Sequence, residues 1–322
     1  MSICPICSGN ENKAFLCKVN LIFDSEYDLI ECKECKCIYF SPMPSDHDLE
    51  IFYSGAYFNF SRWHDEAKGS IYAKKLSKIK DKGNFLDVGC ALGFFINGIK
   101  RNSNWNVFGV EYGKSAVEYA SKNLGLNVKQ GELYDINFPN KYFDYIHINN
   151  VLEHVRNPKR LLGECKRIIK DDGYLFLSVP NGYNDSRPLI EFYTLKKMPA
   201  KSISGHIYFF PKETLLKLFR DFDFEIVSKK TGSIKRGMRN IGLLNKKKNW
   251  EQSYYPDAVP KDVNEEKITV SETKKYSDFY YKYRYIQSKY HDLPGLYNFG
   301  LDYIFLLKLS DEIISNSLLK SS

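Results

Sequence analysis

Four cysteines near the beginning of the sequence have the type and spacing of metal ligands. Cys4-x-x-Cys7 and Cys32-x-x-Cys35 form two pairs with 24 residues between them. Each Cys-x-x-Cys turn brings two thiolates to one side of a tight loop, and two such loops complete a tetrahedral shell of four sulfurs. The spacing predicts a structural Zn²⁺ site whose four positions are all closed by protein. Redox-active pairs and four unrelated thiols are the alternatives.

The chain between these pairs, KAFLCKVNLIFDSEYDLIECKEC, has the pattern of short strands that a zinc ribbon requires. The predicted ribbon covers residues 1–45, and Cys17 and Cys37 fall outside the ligand pairs. A domain of this size depends on its metal to fold. Because zinc ribbons also occur in nucleic-acid-binding proteins, the cysteines alone do not decide the function.

A second chemical pattern is a run of small residues in GNFLDVGCALGFFINGIK, residues 83–100. NFLDV has the pattern of a strand and FFINGIKR that of a helix, so Gly89, Ala91 and Gly93 occupy a strand-to-helix turn. Small residues let the backbone approach a ligand closely and leave the helix amides free to bind it. A turn that serves only the fold is the alternative.

The next predicted strand, Val107 to Val110, ends in Glu111. An acid at the end of the second strand of a βαβ unit can accept hydrogen bonds from both hydroxyls of a ribose. Glu111 and the turn together predict a nucleoside-binding site. Asp87, two residues before the first glycine, would repel a pyrophosphate and suits a cationic ligand, such as the ammonium and sulfonium groups of S-adenosylmethionine.

Residues 84–182 resemble the core of the class I S-adenosylmethionine-dependent methyltransferases. LDVGCALGFF matches the first motif of that family, with Ala91 in place of the usual middle glycine. The later blocks, from GELYDINF through VLEHV to LFLSVPN, follow in the family's order. The resemblance implies an α/β, Rossmann-like fold with a seven-stranded sheet, and S-adenosylmethionine as the cofactor.

By position, the resemblance also implies which residues bind the cofactor. Gly89, Ala91 and Gly93 would line its methionine side, Asp87 would support its amino group, and Glu111 would hold the ribose. Glu132 and Leu133 would meet the adenine, and Asn149 would face the methionine portion. Cys90, Phe94 and Tyr112 lie in the same motifs and complete the predicted set. For each residue, turn geometry or strand capping is the alternative.

Methyl transfer to a hydroxyl, or to a carbon next to a carbonyl, also needs a base. His154, in LEHV, follows the fourth strand of the core, at the edge where open α/β sheets bind ligands. His206, in SGHIYFF, follows a loop expected to fold over the same edge. We predict His154, His206 and Glu153 as catalytic residues. The alternatives are that Glu153 and His154 brace the next helix and that His206 anchors a lid. His147 lies within a strand and is expected in the core.

A longer part of the chain is similar to the ribbon-bearing methyltransferases of sugar, antibiotic and surface-glycan pathways, of which the deoxysugar C-methyltransferases are the best known. The ribbon, FSPMPS…YSGAYF, the core and GHIYFFPKETLLKLFRDFDFEIV occur in their order. Those enzymes usually carry a further carboxy-terminal domain, for which this chain is too short. The resemblance implies methyl transfer to an O or C atom of a small metabolite, first a sugar nucleotide or glycan precursor. An RNA methyltransferase and a non-catalytic zinc-ribbon interaction protein are the alternatives.

The remaining segments complete the predicted domain organisation. Residues 46–82 form a connector and an amphipathic leading helix, and residues 83–232 with about 300–314 form the core. The pattern at 302–314 fits either an antiparallel seventh strand or a helix. Residues 233–299 are a basic, Tyr-rich insertion, which we interpret as a substrate lid or as an exposed helical excursion or dimer contact.

The composition is that of a globular protein. Apolar residues make up 43% of the 322 residues, and the formal charge of +8 favours an anionic partner only weakly. No stretch reaches the ~18 apolar residues of a membrane span, and the first residues lack the apolar run of a signal peptide. The eight cysteines cluster in pairs rather than in a disulfide framework. We therefore expect a soluble cytoplasmic protein without a nucleic-acid partner.

Overall fold

The computed structural model describes residues 3–10, 13–19, 26–45, 47–48, 59–195, 206–232, 238, 243–244, 269–271, 277, 279–280, 282 and 300–311. The strands are β1 (Lys13–Val19), β2 (Tyr27–Cys32), β3 (Ile38–Ser41), β4 (Asn59–Ser61), β5 (Asn84–Val88), β6 (Asn106–Glu111), β7 (Asn127–Gln130), β8 (Phe143–Asn149), β9 (Ile169–Pro180), β10 (Tyr208–Phe209), β11 (Phe224–Gly232), β12 (Thr269–Ser271) and β13 (Asp302–Leu309). The helices are α1 (Arg62–Leu76), α2 (Phe94–Lys100), α3 (Lys114–Leu124), α4 (Pro158–Ile168), α5 (Gly182–Leu195) and α6 (Lys212–Asp221).

A seven-stranded sheet in the order β11-β13-β9-β8-β5-β6-β7 forms the centre of the molecule. Strands β5 to β9 pair in parallel, and β13 lies antiparallel between β9 and β11. β5 and β8 are buried almost throughout, as expected of parallel strands covered on both faces. The predicted α/β, Rossmann-like seven-stranded fold is confirmed.

The last strand of this sheet resolves the ambiguity at residues 302–314. β13 alternates between half-buried and buried residues, and Tyr303, Phe305, Leu307 and Leu309 are its buried members. This period of two is typical of a strand rather than a helix. Residues 302–309 therefore form the antiparallel seventh strand.

The strand order reverses between β5 and β8, because the chain proceeds from β5 to β6 and β7 on one side and from β8 to β9 on the other. In open α/β sheets, ligands bind beyond the carboxyl ends of the strands at such a point. This geometry places the turn after β5, the end of β6 and the segment after β8 at one edge of the sheet.

The cysteine-rich segment forms a separate four-stranded sheet in the order β1-β2-β3-β10. β10 comes from the core sequence and pairs antiparallel with β3, where Tyr208 lies opposite Tyr39 and Phe209 opposite Ile38. The Thr214 hydroxyl, in α6, donates a hydrogen bond to the Cys35 carbonyl at 2.5 Å. The amino-terminal segment is thus joined to the core by backbone pairing as well as by side-chain packing.

The predicted leading helix is α1, which packs closely on α2. A Cβ atom at Gly69 would lie 2.1 Å from the Phe95 carbonyl oxygen, and one at Gly98 would lie 2.3 Å from that of Glu66. Residues 49–58 of the predicted connector and most of the insertion at 233–299 lie outside the described residues. Within the described residues, no helix combines the length and the apolarity needed to cross a membrane.

Candidate cofactor and acceptor site

A cavity of about 950 Å³ lies beyond the carboxyl ends of β5, β6 and β8. One side of its lining is formed by the turn after β5, the end of β6 and residues 131–135. Another part comes from residues 150–157, which connect β8 to α4. Ribbon residues complete the lining, among them Tyr39, Phe40 and Met43. The core and the ribbon therefore share one cavity.

The turn after β5 is built for residues with little or no side chain. Gly89, Ala91 and Gly93 have φ values of 71°, 49° and 78°. A Cβ atom at Gly89 would lie 2.5 Å from Cγ2 of Val151, so a larger residue would collide with the segment after β8. Ala91 accepts the left-handed conformation at a cost of about 1–2 kcal/mol. Gly89 and Ala91 both line the cavity.

Glu111 ends β6 and holds the turn in place. Its Oε2 accepts a hydrogen bond from the Ala91 N–H at 2.8 Å, and its Oε1 accepts from the N–H groups of Tyr112 at 2.9 Å and Gly113 at 3.0 Å. Burial raises the pKa of the Glu111 carboxyl, while these three backbone donors act in the opposite direction. The acid lies in the cavity lining, next to Tyr112.

The segment after β7 forms the far wall of the same region. Glu132 and Leu133 line the cavity, and the Leu133 side chain is buried. The Gly131 N–H donates to the Glu111 carbonyl at 3.0 Å, which fixes this segment beside the end of β6. Six of the predicted cofactor-binding residues therefore surround one space: Gly89, Ala91, Glu111, Tyr112, Glu132 and Leu133.

Five predicted cofactor-binding residues lie outside the cavity lining: Asp87, Cys90, Gly93, Phe94 and Asn149. Asp87 is buried within β5, where its Oδ1 lies 2.6 Å from Nδ1 of His147 on the neighbouring strand. His147 is buried, as predicted, and stacks on Phe176 with ring centroids 4.7 Å apart. Phe94 packs edge-on against Tyr119 on α3. These residues support the turn from behind.

Instead of Asn149, the next two residues line the cavity. Asn150 is exposed and has a φ of 55°, and Val151 meets the glycine turn. Asparagine is enriched in the left-handed conformation. The Asn pair at the end of the predicted strand was therefore the sequence signal for a left-handed residue at this point. Asn149, the last residue of β8, is half-buried, and its predicted contact with the cofactor stays a prediction.

The three predicted catalytic residues lie together at the segment after β8. Glu153 Oε1 is 3.9 Å from Nε2 of His154 and 3.9 Å from Nε2 of His206. The two imidazole rings are edge-on, with centroids 4.7 Å apart. Asp185, on α5, has its Oδ2 2.6 Å from Nδ1 of His206, and no sequence spacing pointed to it. Of these four residues, His154 lines the cavity.

The electrostatics of this cluster are unusual. Glu153 is 1% exposed, and neither of its carboxylate oxygens has a hydrogen-bond partner among the described residues. Burial raises the pKa of Glu153 to about 8. Burial disfavours the charged form of His206, but the adjacent Asp185 carboxylate outweighs it and raises the pKa of that imidazole. The cluster therefore holds a proton that can be exchanged near neutral pH.

Two positive groups belong to the cavity lining. Arg156 and Arg160 lie in its wall, the latter stacked 4.1 Å above the centre of the Tyr134 ring. Nη2 of Arg160 lies 3.4 Å from Oδ1 of Asp135. The Asn157 side chain caps α4 by accepting a hydrogen bond from the Arg160 N–H at 3.0 Å.

The two predicted cysteine pairs converge. Sγ of Cys4 is 3.7 Å from Sγ of Cys35, Sγ of Cys7 is 3.6 Å from Sγ of Cys32, and all four atoms lie within 4.8 Å of one another. A tetrahedral zinc site with bonds of about 2.3 Å has sulfur–sulfur edges of about 3.8 Å. The donor set and spacing fit that metal. Burial raises the pKa of Cys17, which is outside the cluster, to about 11.

The chain is similar to known methyltransferases. A family model described as a methyltransferase domain matches residues 61–229, more than half of the 322-residue chain. An uncharacterized protein of Methanocaldococcus jannaschii is 28% identical over 170 residues, which cover 52% of this chain and 77% of that protein.

Two further proteins are similar over different lengths. A ubiquinone biosynthesis O-methyltransferase of Glaesserella parasuis is 37% identical over 86 residues, which span 26% of this chain and 36% of that enzyme. The crystal structure of a SAM-dependent methyltransferase from Archaeoglobus fulgidus superposes with a TM-score of 0.43 and 18% identity, over 74% of this chain and 94% of that one.

Proposed function

The chain belongs to the methyltransferase-domain family and is an S-adenosylmethionine-dependent methyltransferase, and we propose that it methylates an O or C atom of a small metabolite. A sugar nucleotide or a glycan precursor is the first candidate acceptor. The observation that carries this proposal is the shared cavity, whose lining includes the glycine turn and Glu111, His154, and Arg156 and Arg160.

The cofactor fits the first part of the cavity. S-adenosylmethionine, when bound, supplies a methyl group on a sulfonium that leaves as a neutral thioether. Glu111 presents a carboxylate that is already oriented by three backbone donors, and the remaining lone pair of its Oε2 can accept a hydrogen bond from a ribose hydroxyl. Gly89 and Ala91 would lie against the methionine portion, and Glu132, Leu133 and Tyr112 against the adenosine.

The other predicted cofactor residues act indirectly in this proposal. Asp87, held by His147, contributes a buried negative charge below the turn that favours the cationic methionine portion. Cys90, Gly93, Phe94 and Asn149 fix the path of the backbone that carries Gly89, Ala91 and Asn150.

His154 is the base in this proposal. Methyl transfer by in-line displacement depends mainly on the alignment of nucleophile, methyl and sulfur. A hydroxyl, or a carbon next to a carbonyl, must also lose a proton, and an imidazole in the cavity wall is suited to accept it. Glu153 lies behind His154 and stabilises the imidazolium that forms, and His206 lies on the other side of the same carboxylate.

The proposed acceptor class rests on the cationic and aromatic groups of the cavity lining. Two guanidinium groups, on Arg156 and Arg160, suit an anionic group such as a diphosphate. The aromatic residues Tyr39, Phe40 and Tyr134 lie in the same wall and suit a planar base or a sugar face. A nucleotide-linked sugar combines both features.

We also propose that Cys4, Cys7, Cys32 and Cys35 hold a structural Zn²⁺. The four thiolates leave no position for substrate, so the metal would stabilise the ribbon and take no part in the displacement. Its contribution to function would be to keep Tyr39, Phe40 and Met43 in the cavity wall.

An acceptor screen tests the proposed function. The purified protein is incubated with methyl-labelled S-adenosylmethionine and a panel of nucleotide sugars, neutral sugars, ubiquinone precursors and RNA. We expect label in one or more nucleotide sugars and none in the neutral sugars. Exclusive labelling of RNA or of a neutral acceptor would contradict the assignment of the Arg156 and Arg160 wall.

A further inference from the structure

Carboxylates and imidazoles alternate along a short path that ends at the cavity. The order is Asp185, His206, Glu153 and His154. The Asp185–His206 contact is 2.6 Å, and both contacts of Glu153 Oε1 are 3.9 Å. The proposed base is thus connected to a residue on α5 that does not line the cavity.

The orientation of each ring is set by its neighbours. Nδ1 of His206 faces Asp185, so Nε2 is the nitrogen that faces Glu153. The Glu153 carbonyl accepts hydrogen bonds from the N–H groups of Ile207 at 2.9 Å and Tyr208 at 3.1 Å, which fixes the backbone beside His206 against the backbone of Glu153. The residues of the path are therefore held by main-chain bonds as well as by their own contacts.

The charges along the path depend on one another. The groups that face it come from the segment after β8 (Glu153 and His154), α5 (Asp185), the residue before β10 (His206) and β13 (Asp302). The cation on His206 lowers the proton affinity of Glu153, whereas Asp185 and Asp302 act in the opposite direction. Asp185 in turn favours the protonated form of His206.

We propose that Asp185 is a positioning residue for methyl transfer, which sets the proton affinity of His154 through His206 and Glu153. The inference rests on the proposed role of His154 as the base. With Asp185 ionised, His206 keeps its proton and its positive charge, and Glu153 is more readily ionised. An ionised Glu153 then favours the imidazolium form of His154, as the carboxylate of a catalytic triad does.

The proton balance is as follows. The acceptor O–H or C–H bond breaks as its O or C atom forms the bond to the methyl carbon and the methyl–sulfur bond breaks. In the reactive form, in which Glu153 is ionised, the proton goes to the neutral His154 imidazole, and the resulting cation is stabilised by the Glu153 carboxylate. The protonated His206 and the Asp185 carboxylate keep their charges throughout, and His154 returns its proton to solvent after the product leaves.

The test is an NMR titration of the histidine ring nitrogens in the zinc-loaded, ¹⁵N-labelled chain, without acceptor. Signals are assigned with His154→Gln and His206→Gln. In Asp185→Asn we expect the His206 pKa to fall by about one unit or more, and the His154 pKa to fall by about half a unit. Asp221→Asn, which removes a surface carboxylate paired with Lys217, should change neither value.

A double-mutant comparison separates the path from a general structural effect. Glu153→Gln cuts the path, so adding Asp185→Asn to it should no longer shift the pKa of His154. If Asp185→Asn does not fold, Asp185→Ala, which also removes the carboxylate, should produce the same lowering of the His154 pKa. An unchanged His154 titration in either variant would overturn the proposal.

One other outcome is decisive. Glu153, His154 and His206 have donor atoms within 4.8 Å of one another, so one equivalent of divalent cation beyond the ribbon zinc, lost in Glu153→Gln, would replace the proposed path with a metal site. The titration needs no methyl transfer, whereas the acceptor screen needs no particular histidine pKa. Failure of this inference is therefore distinguishable from failure of the proposed function.

Discussion

Glu111 Oε2 accepts a hydrogen bond from the Ala91 N–H at 2.8 Å, so the acid that ends β6 is tied to the turn that follows β5. Ala91 holds a left-handed conformation, and the carboxylate satisfies the amide that this conformation presents. The cofactor-binding wall is therefore a single preorganised unit, in which the proposed ribose ligand also supports the proposed methionine-binding turn.

Replacement of Glu111 by Ala should weaken cofactor binding. The variant loses the acceptor for the ribose and one support of the turn, and hydrogen bonds to a charged group contribute about 1.5–3 kcal/mol each. We expect the dissociation constant for S-adenosylmethionine to rise at least tenfold in calorimetry. Glu118→Ala, which removes an exposed carboxylate on α3, is the control and should bind normally. Unchanged affinity in Glu111→Ala would refute the ribose assignment.

Gly89→Ala should also impair the cofactor site, through a collision rather than a lost charge. Its new Cβ would lie 2.5 Å from Cγ2 of Val151. Gly125→Ala is a matched control, since Gly125 also has a positive φ, 59°, but has no atom within 4 Å of the new Cβ. Both variants should lose about 1 kcal/mol of unfolding free energy to backbone strain. Only Gly89→Ala should lose S-adenosylmethionine affinity. Equal affinities would show that a collision with Val151 does not impair cofactor binding.

The ribbon cysteines should hold one zinc per chain, and Cys32→Ser should release it. Cys17→Ser, in the same ribbon but outside the cluster, should retain the metal. Because ribbon residues lie on the acceptor side of the cavity, loss of zinc should abolish methyl transfer while S-adenosylmethionine still binds. Elemental analysis and calorimetry on the same samples provide the check. Absence of zinc from the unmodified protein would exclude the site.

The pH dependence of stability should report the burial of Glu153. Its pKa is raised from 4.5 to about 8, so between these values the folded chain holds a proton that the unfolded chain has lost. The free energy of unfolding must therefore fall as the pH rises through this range, by an amount on the order of a few kcal/mol. The raised pKa of His206 also makes the free energy of unfolding fall as the pH rises above the ordinary pKa of histidine.

Glu153→Gln removes the titrating carboxyl, and its unfolding free energy should decline less between pH 5 and pH 9. Urea denaturation at several pH values measures both slopes. Parallel slopes for the variant and the unmodified protein would mean that Glu153 is ionised in the folded state well below pH 8.

Local sequence patterns were sufficient for the core and for half of the site. The strand, the glycine turn and the acid within residues 84–111 can be recognised from their spacing in the sequence, and so can the paired cysteines. In contrast, Asp185 and His206 lie on different elements and meet only because α5 and the segment before β10 fold toward each other. The Asp87–His147 contact joins neighbouring strands whose pairing no local pattern specifies.

The sequence also did not predict that residues of the ribbon line the cavity. β10 is two residues long, too short to give a periodic signal, yet it joins the two sheets. Its pairing with β3 brings Tyr39 and Phe40 to the carboxyl edge of the core. Long-range pairing of this kind is decided by tertiary packing rather than by propensity.

The pairing of β10 with β3 implies that the ribbon must fold before the chain around His206 reaches its final position. His206 stands one residue before Ile207, whose N–H donates to the Glu153 carbonyl, while Tyr208 and Phe209 pair with β3 of the sheet that is proposed to hold zinc. If the ribbon folds only with zinc, a newly made chain without zinc would lack an ordered β3 with which β10 could pair. Such a chain would bind the cofactor but would not transfer the methyl group. The supply of zinc would therefore determine the active fraction of the enzyme.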